Sequence, residues 1–239
     1  MEPDQQNKEY DFLAGEILLI NKPSTWTSFD VVNKLRRMLR FFLKAKIKVG
    51  HAGTLDPLAT GLLIICTGGA TKKIQQFTDM EKEYTGTFHL GAITASLDSE
   101  TEVSETFPVD HITHDMIQEA TKGFIGDIQQ VPPAYSAIWV EGTRAYRMAR
   151  KNLEVKMAPR TVNISSFGIS DIQIPLVKFS VTCSKGTYIR SLARDFGKAL
   201  NSGAYLDDLC RTRIGDFQLS EALEITDLEK ILRDRQHFD

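Results

Sequence analysis

The sequence predicts an α+β protein whose central sheet is mixed, largely antiparallel and flanked by helices. Two stretches alternate apolar and polar residues as half-buried strands do, from Tyr84 to Leu90 and from Val177 to Cys183. Other stretches carry apolar residues at helical spacing, most clearly after Ser28. Because strands and helices mix without a regular strand–helix–strand rhythm, the pattern does not favour a parallel, doubly wound sheet.

The first third of the chain is predicted to form a long helix, a strand and a short helix. Ser28 is expected to cap the long helix, whose apolar positions follow the 3.6-residue period: Val31, Val32, Leu35, Met38, Leu39 and Phe42. The apolar run Leu62–Thr67 is predicted as a buried strand that the Gly68-Gly69 turn closes, and residues 71–77 as a short helix.

The remaining elements follow from the same kinds of pattern. Thr113 is expected to begin a helix that buries Ile117, and residues 126–142 look like strands broken by Pro132-Pro133. Residues 144–151 are predicted as a short basic helix. Thr187 is expected to cap the helix that runs to Leu200.

Composition limits the class of protein. With 239 residues and 42% apolar content, the chain can bury a core as one large domain or two small ones. No apolar run is long enough for a membrane span, and the polar, acidic N-terminus resembles no signal or transit peptide. Its three cysteines lie far apart, which argues against a zinc site or disulfide framework. We expect a cytoplasmic monomer.

Positive charge is concentrated although the net charge is −2. The stretch from Val31 to Leu55 has no acid but seven basic residues: Lys34, Arg36, Arg37, Arg40, Lys44, Lys46 and Lys48. A second basic cluster lies between Arg144 and Arg160, whereas acids concentrate in residues 98–119 and at both ends. Each cluster could be a solvated helix face. Two such clusters on otherwise acidic material favour a surface that binds phosphates.

The segment Gly50-His51-Ala52-Gly53-Thr54-Leu55-Asp56-Pro57 is the most informative part of the chain. Its glycines let a backbone approach a ligand closely, and the proline biases Asp56 towards an extended or turn conformation. A carboxylate on a tight loop between packed elements suits chemistry that needs a positioned anion. An Asp-Pro after glycines is also typical of a turn or a helix cap, so this segment alone leaves both interpretations open.

Other motifs accompany this segment in a fixed order. They are Gly15–Pro23 with Thr27-Ser28, Lys82-Glu83-Tyr84, Gln130–Ala137, Gly142–Tyr146, Cys183–Arg190 and Arg211–Phe217. Together they resemble the TruB family of tRNA pseudouridine synthases from about Gly15 to Phe217. The resemblance implies the pseudouridine synthase fold, with an RNA-gripping insertion at about residues 120–155. It also implies a catalytic domain over residues 13–239, behind a tail of residues 1–12. Many members of the family carry a small C-terminal PUA domain, but only about twenty residues follow Phe217, too few for such a domain to bury a core, so we expect none here.

The resemblance assigns the catalytic roles to three residues. Asp56 corresponds to the catalytic aspartate, Arg190 to the arginine that pairs with it, and Tyr84 to the tyrosine that stacks on the uracil. A nearby arginine lowers an aspartate pKa by about one to three units, which would keep Asp56 ionised in a cleft. Taken alone, Arg190 could equally be a surface arginine, and Tyr84 an ordinary core residue. No cofactor or metal is implied, and the partner is tRNA through its T-stem loop.

Further residues are expected to bind substrate. The resemblance places His51 beside a flipped nucleotide, Tyr188 and Leu209 in the uracil pocket, and Lys22 beneath the catalytic loop. Lys34, Arg37 and Arg144 represent the two basic clusters and are expected to contact phosphates. A turn-capping role for His51 and simple packing for Tyr188 and Leu209 stay open.

The chain departs from the family pattern in three places. Asn21 replaces a common aspartate, Ala52 a common threonine and Trp139 a usual lysine, so one phosphate contact of the insertion is lost. Three other functions remain to be weighed: an RNA-guided pseudouridylase in a ribonucleoprotein, a non-catalytic RNA-binding module and a small-molecule hydrolase. The retained Asp56, Tyr84 and Arg190 disfavour the second, and the lack of a nucleophile–base pair disfavours the third.

Overall fold

A computed structural model describes residues 9–140, 142–151, 153 and 155–236. Its strands are β1 (Ile17–Lys22), β2 (Val49–Ala52), β3 (Thr60–Thr67), β4 (Lys82–Leu90), β5 (Ala92–Thr94), β6 (Val103–Thr106), β7 (Gly126–Gln130), β8 (Trp139–Val140), β9 (Thr143–Arg144), β10 (Arg160–Gln173), β11 (Leu176–Cys183), β12 (Ala204–Ile214) and β13 (Phe217–Gln218). Its α-helices are α1 (Ser28–Leu43), α2 (Ile74–Asp79), α3 (His114–Lys122), α4 (Ala145–Ala149), α5 (Ile189–Ala199) and α6 (Ile225–Gln236).

The chain divides into two compact units. Among the described residues, the first unit consists of residues 9–80 and 210–236, and the second lies within residues 81–209. In the first unit β3 pairs antiparallel with β1 and with β2, and parallel with β12 at Cys210↔Thr60. In the second unit β4, β11, β10 and β7 pair antiparallel in that order.

The core of the first unit forms around β3, which is buried on both faces. Leu63 and Ile65 pack with the apolar stripe of α1 and with Leu228 of α6, whereas Leu62 and Ile64 pack on the other side with Phe77. The spacing of apolar residues in α1 therefore has the predicted result, because Val31, Val32, Leu35 and Leu39 are all buried.

Residues 10–12 correct the predicted tail. Phe12 is buried in the first unit, and Tyr10 stacks on it with 5.2 Å between ring centroids. The folded part therefore begins before residue 13, since two aromatic rings gain more by packing on the core than by exposure to water. The rest of the predicted tail, residues 1–8, lies outside the described residues.

Two predicted helix caps are wrong by one residue. Thr27, and not Ser28, caps α1: its hydroxyl accepts from the Asp30 amide while the Asp30 carboxylate accepts from the Thr27 amide, which is a capping box. Thr187 does not cap α5, because the helix begins at Ile189 and the Thr187 hydroxyl donates to the Ser184 carbonyl over 2.9 Å. Thr113 does cap α3, as predicted.

The core of the second unit is aromatic. Phe88 of β4 stacks on Phe179 of β11 with ring centroids 4.0 Å apart. Phe167 of β10 and Phe196 of α5 also contact Phe88. Gly86 lets two strands come together here, because a Cβ atom at this position would lie 2.4 Å from the Asp208 carbonyl oxygen. The alternation in β4 and β11 thus marks strands with one buried face, as the sequence predicts.

The predicted fold class is confirmed. Strands and helices are mixed, and the pairings described above are antiparallel except for β12 with β3. Helices flank the strands in both units. Within the described part of the chain, none of the helices combines the length and apolar character that a membrane crossing requires.

Replacing Phe88 with Ala should destabilise the second unit. The side chain is fully buried among three other phenyl rings, so its truncation leaves a cavity. The cavity should lower the free energy of unfolding by about 3–5 kcal/mol. Urea unfolding followed by circular dichroism measures this loss. Leu176→Ala, at a partly exposed position of β11, is the control and should cost about 0.5 kcal/mol or less. Equal losses for both variants would contradict the proposed core.

Candidate functional site

Asp56 lies in a turn that follows β2 directly. The predicted glycine-rich loop is shorter than expected, because residues 50–52 belong to β2 and pair with Ile64–Cys66 of β3. Gly53 has φ +80°, which favours glycine, and the Ala59 amide donates to the Asp56 carbonyl over 3.2 Å. The carboxylate therefore lies on the short connection, residues 53–59, that joins the paired strands β2 and β3. We call this connection the Asp56 loop.

Ser28 fixes the residue next to Asp56. Its buried hydroxyl accepts from the Leu55 amide over 2.8 Å and donates to the Leu55 carbonyl over 3.1 Å. One side chain in the first turn of α1 thus satisfies both backbone groups of Leu55. This long-range contact explains why Ser28 leaves the capping role to Thr27.

Lys22 fixes the other side of Asp56. Its side chain is 0% exposed, and its ammonium donates to the carbonyls of Pro23, Trp26 and Pro57 at 3.0, 2.6 and 3.1 Å. All three ammonium protons can be used in this way. The predicted supporting role of Lys22 agrees with these contacts, because the lysine binds the backbone of the Asp56 loop.

Arg211 is a third buried support that the sequence interpretation did not identify. Its guanidinium donates to the Leu62 carbonyl over 2.8 Å and to the Gly53 carbonyl over 3.1 Å. The arginine stands on β12 opposite Gly61, which has φ +100° and whose added Cβ would lie 2.4 Å from the Arg211 carbonyl oxygen. Arg211 was quoted in a motif, but only the parallel pairing of β12 with β3 shows what it touches.

The charges around the Asp56 loop affect one another. Burial lowers the pKa of Lys22 to about 8, and the Arg211 charge lowers it too, whereas the Asp56 carboxylate acts in the opposite direction. A buried cation close to a carboxylate favours the ionised form of that carboxylate. The Lys22 ammonium is such a cation for Asp56, since the two charges interact.

His51 lies on β2 opposite Ile65. Burial lowers its pKa, and the positive charge of Arg211 lowers it further. Both causes favour a neutral imidazole at pH 7. Its buried Nδ1 has no hydrogen-bond partner among the residues that the structure describes, so a ligand could supply one.

In the second unit Arg190 is buried at the start of α5. Its guanidinium donates to the carbonyls of Ser96 and Tyr135 at 3.0 and 2.9 Å, and its Nε lies 3.5 Å from the Asp98 carboxylate. This excludes the alternative that Arg190 is a surface arginine. Asp98 was missed by the sequence interpretation because it belongs to the acid-rich segment 98–119, where nothing distinguishes it from solvated neighbours.

The other candidate residues of the second unit are also placed on packed elements. Tyr84 is buried on β4, opposite Val181 of β11, and Leu209 is buried on β12. Tyr188 precedes α5, where its amide and carbonyl both bind the Gln130 side chain, at 2.8 and 3.1 Å. The ring of Tyr188 lies under the Arg160 guanidinium, 4.6 Å from its centroid.

The basic candidates differ in their surroundings. Lys34 forms an ion pair with Glu229 of α6 over 3.1 Å, so part of its charge is neutralised. Arg37 is exposed on α1. Arg144 donates to the Ala137 carbonyl and lies over the Trp139 ring, 4.3 Å from its centroid. Trp139, which stands where the family usually has a lysine, thus makes a cation–π contact with Arg144. Across the described ranges, no group of three or more His, Cys, Asp or Glu side chains is placed to hold a metal ion.

Comparison with known proteins gives a consistent result. The family profile described as "TruB family pseudouridylate synthase (N terminal domain)" matches residues 36–189. A protein of Parabacteroides distasonis named tRNA pseudouridine synthase B is 53% identical over 223 residues, which are 93% of this chain and 95% of the relative. A protein of the same name from Flavobacterium johnsoniae is 52% identical over 225 residues, which are 93% of this chain and 98% of the relative.

Solved structures agree with the fold. The crystal structure of a Cbf5-Nop10-Gar1 complex contains a chain with TM-score 0.69 and 30% identity, and an H/ACA RNP bound to a substrate RNA containing 2'-deoxyuridine contains one with TM-score 0.65 and 28% identity. Each match covers 92% of this chain, but 54% and 53% of the other chains, so this protein spans about half their length.

The fold and the family profile define an enzyme of the isomerase class, a pseudouridylate synthase. Within that class the chain belongs to the TruB family. The resemblance inferred from the ordered motifs is thereby confirmed.

Replacing Ser28 with Ala should weaken the Asp56 loop. The change leaves the buried amide and carbonyl of Leu55 without the serine hydroxyl, which costs about 1–3 kcal/mol of unfolding free energy. Chemical denaturation measures this loss. The matched control is Ser24→Ala, whose exposed hydroxyl makes one longer bond of 3.3 Å to Leu58 and should matter little. Equal stabilities of the two variants would show that Ser28 does not support the loop.

The pH dependence of stability should reveal the buried Lys22. Between about pH 8 and pH 10.5 this lysine is largely neutral in the folded protein but charged in the unfolded chain. The unfolded state then binds more protons, so the lysine's contribution to stability increases with pH, by at most about 1.4 kcal/mol per pH unit. The stability difference between the wild type and Lys22→Met, measured at several pH values, isolates this titration. A difference that does not change across this range would contradict the lowered pKa.

Proposed function

We propose that this protein isomerises the uridine at position 55 in the T loop of tRNA to pseudouridine, with Asp56 as the catalytic carboxylate. The tRNA substrate is supported by the relatives named tRNA pseudouridine synthase B, which match more than nine tenths of the chain at 53% and 52% identity. The T-loop position comes from the family resemblance of the motifs.

One observation carries the proposal for Asp56: the backbone around it is held by buried side chains from three separate elements. Lys22 of β1, Ser28 of α1 and Arg211 of β12 bind the backbone at Pro57, Leu55 and Gly53. An ordinary surface turn does not need three buried supports. A reacting carboxylate does, because an error of about 1 Å in its position can cost two orders of magnitude in rate.

The chemistry requires few groups. The bond between N1 of uracil and C1′ of ribose breaks, the base turns, and C5 becomes joined to C1′. The proton on C5 is lost to water and N1 takes up a proton from water, so the atoms balance. There is no net oxidation or reduction. In the proposal Asp56 attacks the substrate covalently or stabilises a cationic sugar, Arg190 keeps the carboxylate ionised, and Tyr84 stacks on the base and assists removal of the proton.

The target uridine must leave its stack to react. Extrusion costs a few kcal/mol, whereas stacking on one aromatic side chain returns about 1–3 kcal/mol. Stacking of the extruded base on two flat side chains would therefore nearly offset the free energy of extrusion. We propose Tyr84 and His51 for this role, with Tyr188 and Leu209 lining the uracil pocket. The neutral imidazole expected for His51 suits contact with an uncharged base.

The remaining assignments belong to the same proposal. Residues 13–239, together with the packed Tyr10 and Phe12, act as one catalytic domain. The segment of about 120–155 grips RNA, and Arg37 and Arg144 contact phosphates. Three residues of that segment, at positions 141, 152 and 154, lie outside the described residues. We further propose that the enzyme works as a monomer in the cytoplasm, without a cofactor or metal.

The direct test is to incubate the purified protein with unmodified tRNA and to map pseudouridine at nucleotide resolution. A single modified site at position 55 is the expected result. A second candidate is an RNA-guided enzyme, because one of the structural matches comes from an H/ACA RNP bound to a substrate RNA. Activity that requires an added guide RNA would favour that candidate and contradict a stand-alone synthase.

Asp56→Asn should abolish turnover and leave tRNA affinity within about twofold of the wild type, because the amide keeps the size of the carboxylate but removes its charge and nucleophilicity. A tritium-release assay measures turnover and fluorescence anisotropy measures affinity. Asp110→Asn, at an exposed position before α3, is the control with expected wild-type turnover. A folded Asp56→Asn protein that still forms pseudouridine would refute the catalytic role.

A further inference from the structure

The outer face of α1 carries two aromatic rings that do not pack into the core. Phe41 is 77% exposed and Phe29 is 58% exposed, although the opposite face of the same helix is buried. The two residues are twelve positions apart in the sequence, which is about 18 Å along a helix. The Arg36 guanidinium carbon lies 6.0 Å from the centroid of the Phe29 ring.

Exposed cations lie between and beyond these rings. Arg37 and Arg40 share the outer face of α1, and Lys44, Lys46 and Lys48 continue the series towards β2. None of these five has an ion-pair partner among the described residues. The neighbouring Lys34 and Arg36 differ, because Lys34 pairs with Glu229 and Arg36 donates to Asn33 and to the Val49 carbonyl.

The acids known to contact α1 are already engaged, since Glu229 pairs with Lys34. The Asp30 carboxylate accepts from the amide and the hydroxyl of Thr27 in the capping box, and no other acid occurs between Val31 and Leu55. The face therefore has a positive charge that its own neighbours do not neutralise. A surface with several such cations is suited to bind an anionic polymer that carries one negative charge on each repeating unit.

The aromatic rings restrict the choice of polymer. Cations combined with exposed aromatic rings are typical of surfaces that bind single-stranded nucleic acid, where bases stack on the rings and phosphates meet the cations. A membrane-binding helix would instead direct a continuous apolar face outwards, but the apolar stripe of α1 is buried in the core.

We infer that the outer face of α1 binds an unpaired segment of RNA, with one base stacked on Phe41 and the adjoining phosphates on Arg37, Arg40 and Lys44. The inference rests on the proposed function for its RNA substrate and adds a binding surface that the reaction itself does not require. The α1 face defined in this way consists of Phe29, Arg37, Arg40, Phe41 and Lys44.

Binding of full-length unmodified tRNA by the whole protein tests the inference, measured by anisotropy at several salt concentrations. Phe41→Ala should weaken binding about tenfold, within the range for loss of one stacked base. The double variant Arg37→Glu, Arg40→Glu should reduce the slope of log K against log salt by about 1.5. Neither change should lower stability, because these side chains are exposed.

Phe41→Trp gives a direct readout of stacking. The new indole should retain wild-type affinity, and its fluorescence should be quenched by tRNA beyond the quenching of the native tryptophans. Val103→Trp is the control, because Val103 is 49% exposed and lies between Glu102 and Glu105, where RNA should not bind. Its indole should show no such quenching.

The outcomes separate the inference from the proposed function. An active wild type whose affinity and salt slope are unchanged in Phe41→Ala and in the arginine double variant would overturn the inference, and with it the phosphate contact of Arg37, but not the proposed catalytic function. A wild type that binds tRNA through these residues but forms no pseudouridine in any tRNA would overturn the proposed function and leave the surface supported.

Discussion

The Asp56 loop depends on hydrogen bonds from three buried side chains to its backbone. A serine, a lysine and an arginine from separate elements bind Leu55, Pro57 and Gly53. Two of the three are cations that are costly to bury, and the cost is offset only because each finds several carbonyl acceptors. The arrangement gives up some stability to hold one short loop, which is typical of a site that must present a reacting group.

The same principle applies to the arginine of the second unit. Arg190 is held by two backbone carbonyls and the Asp98 carboxylate, so its guanidinium is positioned before any substrate arrives. Groups that are already oriented need no reorganisation during the reaction, and this is the main source of electrostatic catalysis. Each unit thus prepares its part of the proposed chemistry by internal contacts.

The sequence predicts those parts of the structure that local patterns determine. The alternation in β4 and β11 and the stripe in α1 identified these elements because each has one buried face. The roles of Ser28, Asp98 and Arg211 could not be predicted in this way, because their partners lie far away in the chain and become neighbours only in the folded sheet. The candidate site was found through a resemblance of motifs, which identifies Asp56 but not the side chains that hold it.

Arg211→Lys tests most directly whether the fixed loop is what enables Asp56 to act. The variant keeps the charge but loses the guanidinium that reaches Leu62 and Gly53 together. We expect faster amide hydrogen exchange in residues 53–59, a lower kcat for pseudouridine formation and an unchanged Kd for tRNA. Faster exchange in the loop with an unchanged kcat would contradict the account.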